Sequence, residues 1–278
     1  MAGKIAFQGE RGANSDIACK QAFPDMEAMP CRTFEDVFTA VENGDADLAM
    51  IPVENTIAGR VADIHHLIPK SKLHIIGEHF LPIRFQLMAL PGTKLADIKR
   101  AKSHIHGLGQ CRIFLRQHNI EGVTAGDTAG AAREVAEDGE RETAAIAPAL
   151  AADVYGLDIL AENIEDEDHN TTRFVVMSRE PNDLADVQEP CKTSLLFTVR
   201  NVPAALYKAL GGFATNGVNV TKLESYLTGG SFTAAQFYLE LEGHPDSRPV
   251  QLALEELGFF STQIRVLGVF PTGDRPET

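Results

Sequence analysis

The chain has 278 residues, 44% of them hydrophobic, and a formal net charge of −14. That length favours more than one domain at roughly 100–200 residues each, and the composition supports a full core. The charge opposes nucleic-acid binding, which draws on clustered Lys and Arg, and apolar stretches such as Leu48 to Val53 fall far short of the ~20 residues of a membrane span.

Met1 to Lys4 runs directly into a strand-like Ile5-Ala6-Phe7, so no signal peptide or anchor is expected and the reading is cytoplasmic. Cys19, Cys31, Cys111 and Cys191 form no C-x-x-C pair, which fits reduced thiols better than disulfides or a zinc site. Neither metal nor cofactor is expected.

Short apolar runs then alternate with helical spacing. Strands are predicted over Lys4 to Gln8, Asp47 to Val53, Phe85 to Leu90, Lys102 to His104, Val123 to Ala125 and Ala144 to Ala147. Helices are predicted over Ser15 to Phe23, Val61 to Ile68, Gly107 to His118 and Ala129 to Asp138. That alternation specifies α/β layers with a parallel sheet. Phe174 to Met177 reads as a further buried strand, entered from the polar Asn170-Thr171-Thr172-Arg173. The stretch 181–190 is polar, holds Pro181 and Pro190 and lacks periodicity, so it reads as a linker between a domain over 1–180 and another over 191–278.

The second domain reads strand (Lys192 to Arg200), helix (Pro203 to Asn216), strand (Val218 to Thr228), a Gly229-Gly230 turn, strand (Phe232 to Glu242), helix (Ser247 to Leu257) and strand (Gln263 to Phe270). This is the ferredoxin-like βαββαβ order, with Pro203 near the first helical position and the glycine pair as a tight hairpin.

In the first domain the unusual polar residues recur in loops that follow a strand and precede a helix: Gln8 to Ser15, Glu54 to Gly59, Ser103 to Cys111 and Asp127 to Ala132. Ligands of open α/β sheets bind beyond the carboxyl ends of strands, where helix N-termini present free N–H groups, so these loops imply a cleft suited to an anion. Plainer readings stand beside this one. Gly9-x-x-Gly12 occurs in many turns, and Asn55 and Thr56 could cap a helix. His104 and His106 could ligate a metal, although no third ligand is spaced to match, and His65-His66 reads as a surface helix pair. Cys111 is either a nucleophile or a small buried hydrophobe, and the Glu165 to Asp168 run is either a solvated loop or a shield for Arg173.

Taken in order, these segments resemble the prephenate dehydratases over nearly the whole chain. The landmarks are Gln8-Gly9-x-x-Gly12, Cys31-x-Thr33-Phe34, Gly44-Asp45-Ala46-Asp47, Ile51-Pro52-Val53-Glu54-Asn55-Thr56 with Gly59, Ser103-His104 with Gln110-Cys111, Thr128-Ala129, and Asn170-x-Thr172-Arg173-Phe174. The resemblance implies a two-lobed catalytic module like periplasmic solute-binding proteins, with crossings near 79–84 and 161–172. The trailing βαββαβ unit looks like an ACT regulatory domain, which implies a homodimer or a dimer of dimers.

By the same carry-over Thr172 and Arg173 are catalytic. Asn55, Ser103, Gln110 and Thr128 bind or orient the substrate, and Glu54 either binds it or orders neighbouring loops. The implied reaction takes prephenate to phenylpyruvate with loss of carbon dioxide and water, in phenylalanine biosynthesis. Arg173 suits the anchor of a carboxylate, because a guanidinium stays charged and bonds in two prongs. Thr172 is expected at the leaving hydroxyl.

The chain departs from the family pattern in two places. Ser-His-Pro-Gln stands here as Ser103-His104-Ile105-His106. The regulatory Gly-Ala-Leu-Val and Glu-Ser-Arg-Pro segments stand as Ala204-Ala205-Leu206-Tyr207 and Glu224-Ser225-Tyr226-Leu227, which puts the binding of L-phenylalanine as an effector in question. Arogenate dehydratase is the rival activity. An amino-acid-binding sensor without catalysis is the rival of another class, because solute receptors share the two-lobed fold.

Overall fold

The computed structural model describes residues 3–61, 64, 66–200, 202–227 and 234–274. Its first elements are β1 (Lys4–Gln8), α1 (Asn14–Ala22), β2 (Glu27–Cys31), α2 (Phe34–Asn43), β3 (Leu48–Asn55), β4 (Gly59–Arg60) and β5 (His74–Pro82). A second group follows: β6 (Gln86–Ala89), β7 (Arg100–Ser103), α3 (Ile105–Gln110), α4 (Arg112–Gln117), β8 (Glu121–Thr124), α5 (Thr128–Asp138), β9 (Thr143–Ala147), α6 (Ala149–Tyr155) and β10 (Asp158–Ala161). The chain continues through β11 (Thr171–Ser178), β12 (Cys191–Val199), α7 (Ala205–Thr215), β13 (Val220–Leu227), β14 (Ala234–Glu242), α8 (Arg248–Phe260) and β15 (Ser261–Pro271).

The described residues divide by their contacts into two units, one over 3–61 and 79–174, the other over 64–78 and 175–274. The first unit is two-lobed. One sheet runs in the order β2-β1-β3-β11-β5 with β4 on β3, and its last two strands continue into the second unit; the other sheet runs β10-β6-β9-β7-β8. The chain leaves the first sheet after Pro82, enters the second at Gln86, and returns between Ala161 and Thr171.

Burial explains the strands. Ile5, Ala6 and Phe7 are all fully buried, because β1 is central, parallel to both neighbours and covered on both faces. In the second lobe Ala144 to Ala147 are fully buried, and the small face of α5 (Ala129, Ala131, Ala132, Val135) packs with Ala145, Ala147, Met88 and the alanines of α6. Small side chains let the helix sit close to the sheet.

The second unit holds a four-stranded antiparallel sheet in the order β13-β14-β12-β15, the ferredoxin-like arrangement. Its helix-side core includes Leu195, Phe197, Ala209, Phe213, Leu239 and Leu257. Segment 66–78 groups with this unit through specific polar contacts. Arg265 donates to the carbonyls of Pro69 (3.2 Å) and Ser71, Asn182 donates to those of Ile76 (2.8 Å) and Val269 (2.9 Å), and Lys192 pairs with Glu78 at 2.8 Å. The two side chains of that last pair are 1% and 0% exposed.

Several predicted elements are altered. The helix over Gly107 to His118 is two short helices meeting at Cys111, whose φ of −123° breaks the helical path. Pro203 precedes the helix, which begins at Ala205 after an N-cap Ala204 in the left-handed region, φ 61°. Of the helix predicted over 61–68, residues 62, 63 and 65 lie outside the described residues, as does the Gly229-Gly230 turn, and Ile64 and His66 are in a 3-10 turn.

Candidate active site

The start of β11 is pinned by neighbours from both strands that flank it. Thr56 N–H donates to the Thr171 carbonyl and Thr171 N–H to the Thr56 hydroxyl, both at 2.9 Å, while Ile83 N–H donates to the Asn170 carbonyl at 2.7 Å. The backbone of Asn170 to Thr172 is thereby fixed before any substrate arrives.

On this support lies a chain of side-chain amides. Asn55, at the end of β3, accepts from Ile57 N–H (3.0 Å) and Ala58 N–H (2.7 Å) through Oδ1, which orients its amide. Its Nδ2 donates to Asn170 Oδ1 (2.8 Å), the Thr172 hydroxyl oxygen (3.0 Å) and the Thr171 carbonyl (3.2 Å). Asn170 is 1% exposed and passes its own Nδ2 to Gln110 Oε1 of the other lobe at 2.8 Å. Asn55, Asn170, Thr172 and Gln110 are therefore one connected group spanning both lobes.

This arrangement commits the Thr172 oxygen as an acceptor, so its O–H proton is available to donate. Next to it in sequence, Arg173 is 5% exposed and donates through Nη1 to Glu54 Oε1 at 2.9 Å, where the Glu54 side chain keeps 36% of its surface in solvent. A buried guanidinium with a partly exposed carboxylate can take an incoming anion by exchanging partners.

The other predicted residues have more varied settings. Ser103 is fully buried at the end of β7, and its hydroxyl donates to the Ile146 carbonyl at 2.7 Å. Thr128 is the first residue of α5, whose N-cap Asp127 accepts from Gly130 N–H at 2.6 Å. Cys111 is fully buried, and burial beside Asp166 pushes its thiol far above the usual range, so its role is packing and not attack. His104 Nδ1 accepts from His106 N–H at 3.3 Å, and burial lowers its pKa. The acidic run serves other partners: Glu165 pairs with Arg84 at 2.9 Å, and Asp166 accepts from Arg112 N–H (3.1 Å) and Ile113 N–H (2.9 Å) to cap α4. A hollow of about 620 Å³ over this run is lined by Arg84, Asn163 and the carboxylates of Glu165 to Asp168, a field that repels a dianion.

Asn170, which joins the two lobes' amides, stands in the sequence only as the head of the Asn170-x-Thr172-Arg173-Phe174 landmark, with no role of its own assigned by the resemblance. In the second unit Ala204 is exposed, Ala205 buried and Leu206 half-buried at the start of α7, and Glu224 and Ser225 lie on β13.

Residues 5–182 match the family model described as Prephenate dehydratase. The chain belongs to the prephenate dehydratase family. It is 50% identical over 267 residues, 96% of its length and 95% of the relative's, to a bifunctional N-acyl-homoserine lactone acylase/prephenate dehydratase of Komagataeibacter europaeus. It is 39% identical over 282 residues, 96% of its length and 72% of the relative's, to arogenate dehydratase/prephenate dehydratase 1, chloroplastic, of Arabidopsis thaliana. Among solved structures, prephenate dehydratase from Arthrobacter aurescens in complex with L-Phe superposes with a TM-score of 0.89 at 34% identity, covering 96% of this chain and 90% of that one. As a prephenate dehydratase the chain is an enzyme, which sets aside the reading as a sensor without catalysis.

Proposed function

We propose that this prephenate dehydratase converts prephenate to phenylpyruvate at the group formed by Asn55, Asn170, Thr172, Arg173 and Gln110. Arg173 takes a substrate carboxylate, exchanging part of its contact with Glu54. The ring carboxylate leaves as carbon dioxide, and the electron pair of the broken carbon–carbon bond passes into the ring and expels the hydroxyl. That oxygen takes one proton and departs as water, so each turnover consumes a proton. Thr172 donates its hydroxyl hydrogen to the leaving oxygen, and the Asn55 amide offsets the charge that builds on the threonine oxygen. Aromatisation supplies the driving force. The observation that carries this is the Asn55 to Thr172 hydrogen bond of 3.0 Å beside a buried arginine. Incubation with prephenate followed by alkali tests it through the absorbance of phenylpyruvate; no absorbance from folded protein would end the proposal.

The pairing of Glu54 with Arg173 also favours some activity on arogenate, whose ammonium Glu54 can receive. Specificity constants for both substrates in competition decide between them.

The kinship to a bifunctional acylase supports a second reaction, hydrolysis of the amide of an N-acyl-homoserine lactone. Water adds to the acyl carbon, the carbon–nitrogen bond breaks, and the amine leaves with a proton. His104 and His106, with ring centroids 5.0 Å apart, are this chain's candidates for moving those protons. Release of free homoserine lactone, followed chromatographically, tests it.

In the same proposal residues 1–180 are the catalytic domain, 191–278 an ACT domain that pairs into a homodimer or homotetramer, and L-phenylalanine its effector, in a cytoplasmic enzyme. Isothermal titration of L-phenylalanine tests the effector; silence at millimolar concentration would remove it.

A further inference from the structure

The loop after β1 belongs to one lobe and is gripped by two helices of the other. Arg133 on α5 clasps Glu10 with a fork, Nε to Oε2 at 2.8 Å and Nη2 to Oε1 at 3.1 Å. Tyr155, the last residue of α6, directs its hydroxyl to Glu10 Oε2 (3.2 Å) and the Arg11 carbonyl (3.0 Å). Gly12, at φ +88°, completes the grip: a Cβ there would lie 2.8 Å from the Ala151 Cα of α6, so only glycine allows this approach. Its N–H is held by the buried Asp16 carboxylate at 2.8 Å. The Arg133 bond keeps the Glu10 carboxyl below its ordinary pKa, so the pair is ionised at neutral pH.

These contacts border a cavity of about 440 Å³ lined by Gln8, Cys31 and Arg32 from one lobe and Asp127, Val154 and Tyr155 from the other. It lies toward the β1 and β2 side of the first sheet, whereas Asn55 and Thr172 are carried by β3 and β11. The fork thus acts on α5 without itself belonging to the group of Asn55, Thr172 and Arg173.

We propose that Glu10, Arg133 and Tyr155 form an interlobe latch that positions the N-terminus of α5, with Thr128, over the substrate groove. They are positioning residues and touch no reacting atom. The role given to Thr128 rests on the proposed function; the latch itself does not. Its effect falls on substrate affinity, because the bonds set how the lobes meet and not how the proton moves. With Arg133 38% and Glu10 33% exposed, the effect is modest.

The test uses the full-length enzyme. Glu10→Gln and Arg133→Lys each raise KM for prephenate by about three- to fivefold with kcat held within about twofold, and both hasten amide exchange over 9–14 and 149–155 in the ligand-free protein. The charge-reversed pair Glu10→Arg with Arg133→Glu restores both readings. Glu137→Gln, which removes only the partner of Arg133 on its own helix (2.8 Å), leaves both unchanged. Wild-type KM and exchange in Glu10→Gln, or a loss confined to kcat, would overturn the latch. The exchange reading needs no substrate, so a failure of the dehydratase assignment would show separately.

Discussion

Asn55 donates to the hydroxyl oxygen of Thr172 across 3.0 Å, although 117 residues separate them in the chain. The bond turns a weakly acidic hydroxyl into a directed donor. Thr172→Ala should therefore lower kcat by about 10²–10⁴-fold, while Thr172→Ser keeps most of the rate. Phenylpyruvate absorbance gives the rates and thermal melts verify folding; an alanine variant of full turnover would remove the role.

Asn170 satisfies two amides at once. Asn170→Ala leaves the half-buried Asn55 and Gln110 each without that partner, and should cost about 1 kcal/mol of unfolding free energy along with a fall in kcat. Asn170→Asp keeps the acceptor for Asn55 and loses the donor to Gln110, so its urea midpoint should fall between the two.

Arg173→Lys retains the charge but not the fork. KM for prephenate should rise about tenfold or more, equivalent to about 1.4 kcal/mol of lost binding. Initial rates over a range of substrate would show it, and an unchanged KM would move the carboxylate anchor elsewhere.

Burial lowers the pKa of both His79 and His104 below 6.5. Each binds fewer protons folded than unfolded, so stability should fall as pH drops through the unfolded value of about 6.5 toward the folded ones. His79→Gln and His104→Gln should each flatten that slope in urea titrations between pH 7.5 and about 5.

Ala204 holds φ 61°, a left-handed conformation that costs a side-chain-bearing residue about 1–2 kcal/mol. Set against the entropy that glycine loses on folding, Ala204→Gly should stabilise by about 0.5–1 kcal/mol, seen as a higher Tm. A lowered Tm would mean that neighbouring contacts need the methyl.

Elements with one dominant signal were legible in the sequence. The buried runs of β1 and β9 and the small-residue face of α5 stand where their patterns put them. α2, absent from the predicted elements, carries a local signal of its own: Thr33 and Asp36 form a capping box ahead of Val37, Phe38, Ala40 and Val41. β2 carries Pro30 and only half-buried or exposed residues, because it is an edge strand. In the site, the residue types were visible but their partners were not. Hydrogen bonds between Asn55 and Asn170 or between Glu54 and Arg173 join positions 115 and 119 residues apart, and only the folded sheet brings them together.

The ion pair of Lys192 with Glu78 has a consequence for inheritance. Its ammonium opens the first strand of the C-terminal unit, and its carboxylate sits far upstream, so neither is tolerable alone in a water-free setting. Recombination that exchanged roughly the last ninety residues as a cassette would leave one buried charge unpaired in any product whose two parents did not both carry the pair. The two stretches are thus bound to one another by a buried ion pair.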